Sequence, residues 1–163
     1  MLIWVGLTSA AVLRHAIIIG ANDGGGSLEP LHYAEMDAQR VSEVLTDLGG
    51  FEVPYITVLY APSPEELRSA VRTHAEIAST SDDDMFVFYY SGHADARGLR
   101  LEDQIYTFEL LKADIRAMPS EVKLGILDAC RSGTITRLKG AQVTAPFLVE
   151  DQLATEGDRK SVV

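Results

Sequence analysis

The sequence predicts an α/β fold: a three-layer sandwich in which a mostly parallel sheet is flanked by helices. Three observations point there. Short apolar runs rich in β-branched and aromatic residues alternate with stretches of helical period, which implies right-handed crossovers between parallel strands. The first run, His15-Ala-Ile-Ile-Ile-Gly20, holds three consecutive isoleucines, the pattern of a strand buried on both faces. The third observation is a helix start in which Ser63 is the N-cap, Pro64 takes the first helical position and Glu66 closes a capping box.

The elements follow in order. After the first strand, Ala21 to Ser27 is a breaker cluster and reads as a loop. Ala34, Ala38, Val41, Leu45 and Leu48 form one apolar stripe, so a helix is expected over about Tyr33 to Leu48. Gly49-Gly50 ends it, as a glycine in left-handed geometry would. Tyr55 to Tyr60 is the second strand, and the capping-box helix runs to about Ala78. Met85 to Tyr90 is the third strand. Leu99 to Thr107 has room for a hairpin, and Thr107 caps a helix through Met118, with Pro119 beyond its end. Lys123 to Leu127 is the fourth strand of the sheet. Gln142 to Val149 suits one more short strand, and residues 150–163 read as a polar tail.

With 163 residues the expectation is one domain, here residues 15–149, preceded by an apolar segment at 1–14. Apolar residues are 47% and charged residues 23%, which excludes collagen-like, coiled-coil and disordered chains. Lys and Arg number 14 against 24 Asp and Glu, a net charge of -10, which argues against a nucleic-acid partner. One cysteine makes no internal disulfide, and with four scattered histidines it is too few for a structural zinc site. No metal and no cofactor is expected. Leu2 to Leu13 is too short to span a bilayer. Ser9-x-Ala11 suits a signal-peptide cleavage site, but no basic residue precedes the apolar run. A cytoplasmic protein is expected, with a secreted or periplasmic one as the alternative.

Ligands of an open parallel sheet bind beyond the carboxyl ends of the strands. Three loops leave those ends with reactive groups: Asn22-Asp23 after the first strand, Ser91-Gly92-His93 after the third and Asp128-Ala129-Cys130 after the fourth. They converge if the first, third and fourth strands are neighbours. An imidazole within reach of a thiol can deprotonate it, which makes His93 and Cys130 a candidate dyad. The loop Gly20 to Ser27 has P-loop spacing, but Gly26 stands where the lysine must be. A Cys-x5-Arg phosphatase loop fails because Thr136 takes the arginine's place, and Ser91 lacks the flanking glycine of a Gly-x-Ser-x-Gly nucleophile elbow.

Tyr89-Tyr90-Ser91-Gly92-His93-Ala94 and Leu127-Asp128-Ala129-Cys130-Arg131-Ser132-Gly133 resemble the histidine and cysteine motifs of caspase-like cysteine peptidases. The form Asp-x-Cys-x-Ser-Gly is closer to metacaspases and bacterial orthocaspases than to the caspase signature. Tyr33-Ala-Glu-Met-Asp37-Ala38 and Leu48-Gly49-Gly50-Phe51 also fit. The resemblance covers about His15 to Gly140. It implies a caspase-like fold in which this chain is the larger, p20-like portion, with no clear counterpart of the smaller one after Val149.

By position, the resemblance implies Cys130 as nucleophile and His93 as catalytic histidine. It implies an oxyanion hole from the backbone N–H groups of Cys130 and Ala94, where the family usually has glycine. Asp128 matches the acidic residue lining the first substrate pocket, and Asp23 is a plausible second wall. Asp37 reads as structural. The expected function is an endopeptidase cutting peptide or protein substrates after Arg or Lys. The alternative is a catalytically impaired interaction module or partner subunit. The fourth strand is expected to be an exposed edge that a second chain or a dimer mate completes, or else the chain is a truncated fragment with impaired activity. Arg137 and Lys139 offer sites for self-cleavage.

Overall fold

The computed structural model describes residues 12–26, 28–80 and 83–130, with Cys130 described by its main chain alone. Four strands form a parallel sheet in the order β2-β1-β3-β6. They are β1 (Leu13–Ala21), β2 (Ile56–Tyr60), β3 (Asp84–His93) and β6 (Val122–Cys130). A separate antiparallel hairpin joins β4 (Gly98–Leu101) to β5 (Gln104–Thr107). The helices are α1 (Ala34–Asp47), α2 (Pro64–Ala78) and α3 (Phe108–Ala117). The expected order of sheet strands and helices holds throughout, and β1, β3 and β6 are neighbours.

β1 is the inner strand its isoleucines predicted, with Ile17, Ile18 and Ile19 fully buried. Each such side chain contributes roughly 1.5–3 kcal/mol through burial. On one face Ala16, Ile18, Val87 and Tyr89 pack with Ala38, Val41 and Leu45 of α1 and with Phe51. The opposite face carries α2, where His74 sits beside His15 and Phe86. α3 follows the hairpin, and Ile115 reaches to 3.6 Å of the position a Cβ would take on Gly125 of β6. The helices therefore flank both faces of the sheet.

Local signals behave as their chemistry requires. The Ser63 hydroxyl accepts from the Glu66 N–H, and Glu66 accepts in return from the Ser63 N–H at 2.8 Å. Thr107 caps α3 by accepting from the Leu110 N–H. After α1, Gly50 adopts φ +69 and the Phe51 N–H returns to the Leu45 carbonyl. α1 lacks a side-chain cap of its own. Instead the Asn22 side chain, from the loop after β1, accepts from the Glu35 N–H at 3.4 Å.

The strands differ from expectation in length. β1 begins at Leu13 rather than His15 and runs to Ala21. Ser91-Gly92-His93 and Asp128-Ala129-Cys130 belong to β3 and β6, not to the loops beyond them. The ladder is made by main-chain groups, so it continues past the last apolar side chain wherever a neighbour offers partners. Residues 1–11, the basic pair Arg137 and Lys139, Gln142 to Val149 and the tail 150–163 lie outside the described residues.

At the amino ends of the strands a buried polar chain links five segments. His74 lies 2.9 Å from the Thr57 hydroxyl and 3.0 Å from His15, through Nε2 and Nδ1 respectively. His15 Nε2 is 2.9 Å from Asp84 and 3.0 Å from Ser120, and the Ser120 hydroxyl donates to Asp84 at 2.6 Å. One assignment of protons satisfies every member with both imidazoles neutral. Thr57 donates to His74, His74 to His15, and His15 to Asp84.

Burial, then the neighbouring His15, lowers the His74 pKa from 6.5 to about 4, and burial lowers that of His15 as well. The unfolded chain takes up a proton near pH 6.5 that the folded chain refuses, so acid favours unfolding. We expect the His74 contribution to be complete above about pH 6.5 and lost as the pH falls to about 4, a loss of up to about 3 kcal/mol. Urea unfolding at a series of pH values reads this directly. The slope should flatten in His74→Gln, and a wild-type midpoint that stays level from pH 7 to 4 contradicts the assignment.

Candidate active site

The sheet's carboxyl edge gathers the segments singled out from the sequence. The β1–β3 register pairs Gly20 with Ser91 and Ala21 with Gly92. The β3–β6 register pairs Ser91 with Asp128, Gly92 with Ala129 and His93 with Cys130. His93 and Cys130 are thus the last residues of adjacent strands, on backbones that run about 4.8 Å apart in a sheet. Asn22 and Asp23 leave the same edge from the end of β1.

The His93 ring is half-buried and is held by a group that no side-chain signal marks. Its Nε2 lies 3.0 Å from the main-chain carbonyl of Glu29. A carbonyl only accepts, so Nε2 carries a hydrogen, and in the neutral ring Nδ1 presents its lone pair. Any residue type at position 29 supplies the same carbonyl, so no sequence pattern marks it. Gly24 sits against the ring edge next to Nε2, where an added Cβ would lie 2.5 Å from His93 Cδ2.

Ala94 follows His93 and forms an isolated antiparallel bridge with Leu99. The bonds of that bridge come from flanking residues, with the Asp95 N–H donating to the Gly98 carbonyl at 3.0 Å. That pattern keeps the Ala94 N–H out of the hairpin's ladder.

The two acidic candidates have different surroundings. Asp128 is exposed on β6. Next to it, burial and then the Asp128 charge push the Tyr89 hydroxyl pKa upward, a hydrogen bond with the Ser91 side chain opposes this, and Asp37 adds to the rise. Asp37, read as structural from the sequence, thus contributes negative charge near the β3 end. Asp23 turns back on its own loop by accepting from the Gly25 N–H at 2.8 Å. It lines a cavity of about 350 Å³ with Gly25, Gly26, Glu102 and Asp103. The negative character of Glu102 and Asp103 comes from the hairpin turn and was missed in the sequence, because their distance along the chain hides their proximity to Asp23.

The caspase-domain family model matches residues 13–162. The chain belongs to the caspase-domain family. Family membership assigns it cysteine-type peptidase chemistry at the level of the family, and the parallel sheet with flanking helices is the corresponding fold. No curated protein matches the chain. Among the described residues of this caspase domain no helix is long and apolar enough to cross a membrane, and no cluster of side chains suits a metal ion.

The contact with Gly24 makes a specific prediction. Gly24→Ala should push the imidazole off the Glu29 carbonyl while leaving the sheet intact. The His93 ring resonances should move, with an unaltered circular dichroism spectrum. Unmoved His93 resonances would show that the loop gives way instead.

Proposed function

We propose that this caspase domain is a cysteine endopeptidase of the metacaspase and orthocaspase type, cutting after Arg or Lys. Cys130 is its nucleophile and His93 its general base. The observation that carries the reading is the register pairing of His93 with Cys130 at the open end of the sheet. The tautomer set by Glu29 supports it, because it leaves Nδ1 unprotonated.

The chemistry follows in two stages. His93 Nδ1 takes the thiol proton, and the thiolate attacks the peptide carbonyl carbon. The oxyanion accepts from the Cys130 and Ala94 N–H groups. The C–N bond then breaks, and His93 returns its proton to the leaving amine. Water attacks the thioester, again with His93 as base, and releases the acid with the free thiol. Glu29 is a positioning residue that holds the ring for both transfers.

Asp128 supports a basic residue before the cut bond, since a carboxylate beside the nucleophile favours guanidinium or ammonium and repels an aspartate side chain. Asp23 is proposed as the second wall of that pocket. Arg is expected to be preferred to Lys where the carboxylates offer a planar, bidentate partner.

A second reading, an interaction module or partner subunit, draws on the edge of the sheet. Val122, Leu124 and Ile126 of β6 are 50%, 44% and 41% exposed. A second chain or a dimer mate adding a strand there would cover them.

A fluorogenic peptide panel varying only the residue before the cut bond separates the readings. Wild type should turn over Arg and Lys peptides, and Cys130→Ala and His93→Ala should each abolish turnover with the fold retained. Asp128→Ala should lose roughly ten- to a hundred-fold on Arg peptides and little on neutral ones, as expected for one charge-assisted pair. A preference for Asp before the cut reverses the specificity assignment. Alkylation of Cys130 with an ordinary thiol pH profile, unchanged in His93→Ala, favours the module.

A further inference from the structure

We propose that Tyr90 is a positioning residue that aims the Ala94 N–H at the oxyanion. The proposal rests on the peptidase reading above through the role given there to Ala94.

Side chains alternate along β3, so Tyr90 points to the face opposite His93. It is fully buried. Its hydroxyl lies 2.6 Å from the His93 carbonyl and 2.8 Å from the Arg100 carbonyl, so one hydrogen serves both acceptors. The His93 carbonyl belongs to the peptide unit that ends in the Ala94 N–H. That unit is planar and trans, so its C=O and N–H point in opposite directions. Fixing the carbonyl on Tyr90 therefore fixes the N–H in the direction away from Tyr90. A hydrogen bond to the carbonyl also polarises the unit and strengthens its N–H as a donor.

The surroundings are built around this contact. An added Cβ on Gly92 would lie 2.5 Å from the Tyr90 hydroxyl oxygen, so residue 92 has room for the contact only as glycine. The second acceptor, Arg100, is in β4, and its Nε donates to the Gly24 carbonyl at 3.1 Å. Gly24 is the residue against the His93 ring. One hydroxyl thus ties the end of β3 to the hairpin, and the hairpin ties back to the loop beside the imidazole. The bridge with Leu99 takes its bonds from the flanking residues and leaves the Ala94 N–H pointing away from the hairpin. Burial pushes the phenol pKa upward, so the hydroxyl keeps its proton.

Tyr90→Phe removes the hydroxyl and keeps the ring. Four measurements are made on wild type and variant. They are kcat and KM on an Arg peptide, affinity for a peptide aldehyde that adds to Cys130, the pH profile of Cys130 alkylation by iodoacetamide, and the 15N–1H resonance of Ala94. We expect kcat to fall roughly ten- to a hundred-fold, short of the full loss of an oxyanion donor. KM should stay within about twofold. Aldehyde affinity should fall in step with kcat, the alkylation profile should hold, and the Ala94 resonance should move. An unchanged kcat, an unchanged aldehyde affinity, or alkylation that falls with kcat overturns the proposal, the last by showing a general loss of the site.

A wild type that neither cuts peptides nor binds the aldehyde sinks the peptidase reading, and the oxyanion role of Tyr90 with it. The Ala94 resonance keeps the two failures apart. If it does not move, the contact itself is wrong; if it moves, the contact stands and only the catalytic reading has failed. Should Tyr90→Phe not fold, Gly92→Ala displaces the hydroxyl without removing it, and the same four results are expected.

Discussion

The hydrogen-bonded pairing of β3 with a strand on each side is the constraint on which the rest depends. β3 is matched residue for residue from Asp84 to Gly92 along β1 and from Met85 to His93 along β6. A slip of one residue in either ladder would turn buried side chains such as Phe86 and Phe88 out of their face. A slip of two would keep the faces but move His93 about 7 Å from the Cys130 position. The geometry of the candidate dyad is therefore a property of the sheet register, and hydrophobic burial fixes that register over most of the strand length.

The register is also anchored at the opposite end of the strands. His15 of β1, Asp84 of β3 and Ser120, just before β6, meet in one buried cluster, with His74 of α2 and Thr57 of β2 behind it. Every described buried side-chain polar atom has a partner. A half-satisfied cluster would be costly in so buried a place, whereas a complete one tolerates few alternative alignments of the strands that carry it. The sheet thus has a polar end, where neutral histidines join the strands, and a carboxyl end, where His93 and Cys130 finish adjacent strands.

At the carboxyl end most of the positioning is done by main-chain groups. The Glu29 carbonyl sets the imidazole tautomer, and the Ala94 and Cys130 amides are the proposed oxyanion donors. The Asn22 side chain and the Arg100 guanidinium hold the loop after β1 to α1 and to the hairpin respectively. Glycine at 24 and 92 allows the ring and the phenol to come close to the backbone. Gly24 and Gly92 each mark a place where a side chain can approach the main chain only because no Cβ stands between them.

Much of this protein was legible without coordinates. Three adjacent isoleucines, the Ser63–Glu66 box and the Gly49-Gly50 stop state local requirements that tertiary contacts did not override, so the strand–helix alternation could be read directly. His93 and Cys130 stood out because each follows an apolar strand and sits within a motif resembling those of caspase-like peptidases. Side-chain patterns cannot show where a ladder ends, so the last residues of β3 and β6 were read as loops. They also cannot show contacts made by carbonyls, which left Glu29 and the acceptors of Tyr90 invisible. The buried His15–His74–Asp84 chain joins residues up to 69 positions apart that carry no local pattern. Local sequence determined which elements form; only the register between distant strands decided which reactive groups meet, because that register depends on the simultaneous burial of both faces of the sheet.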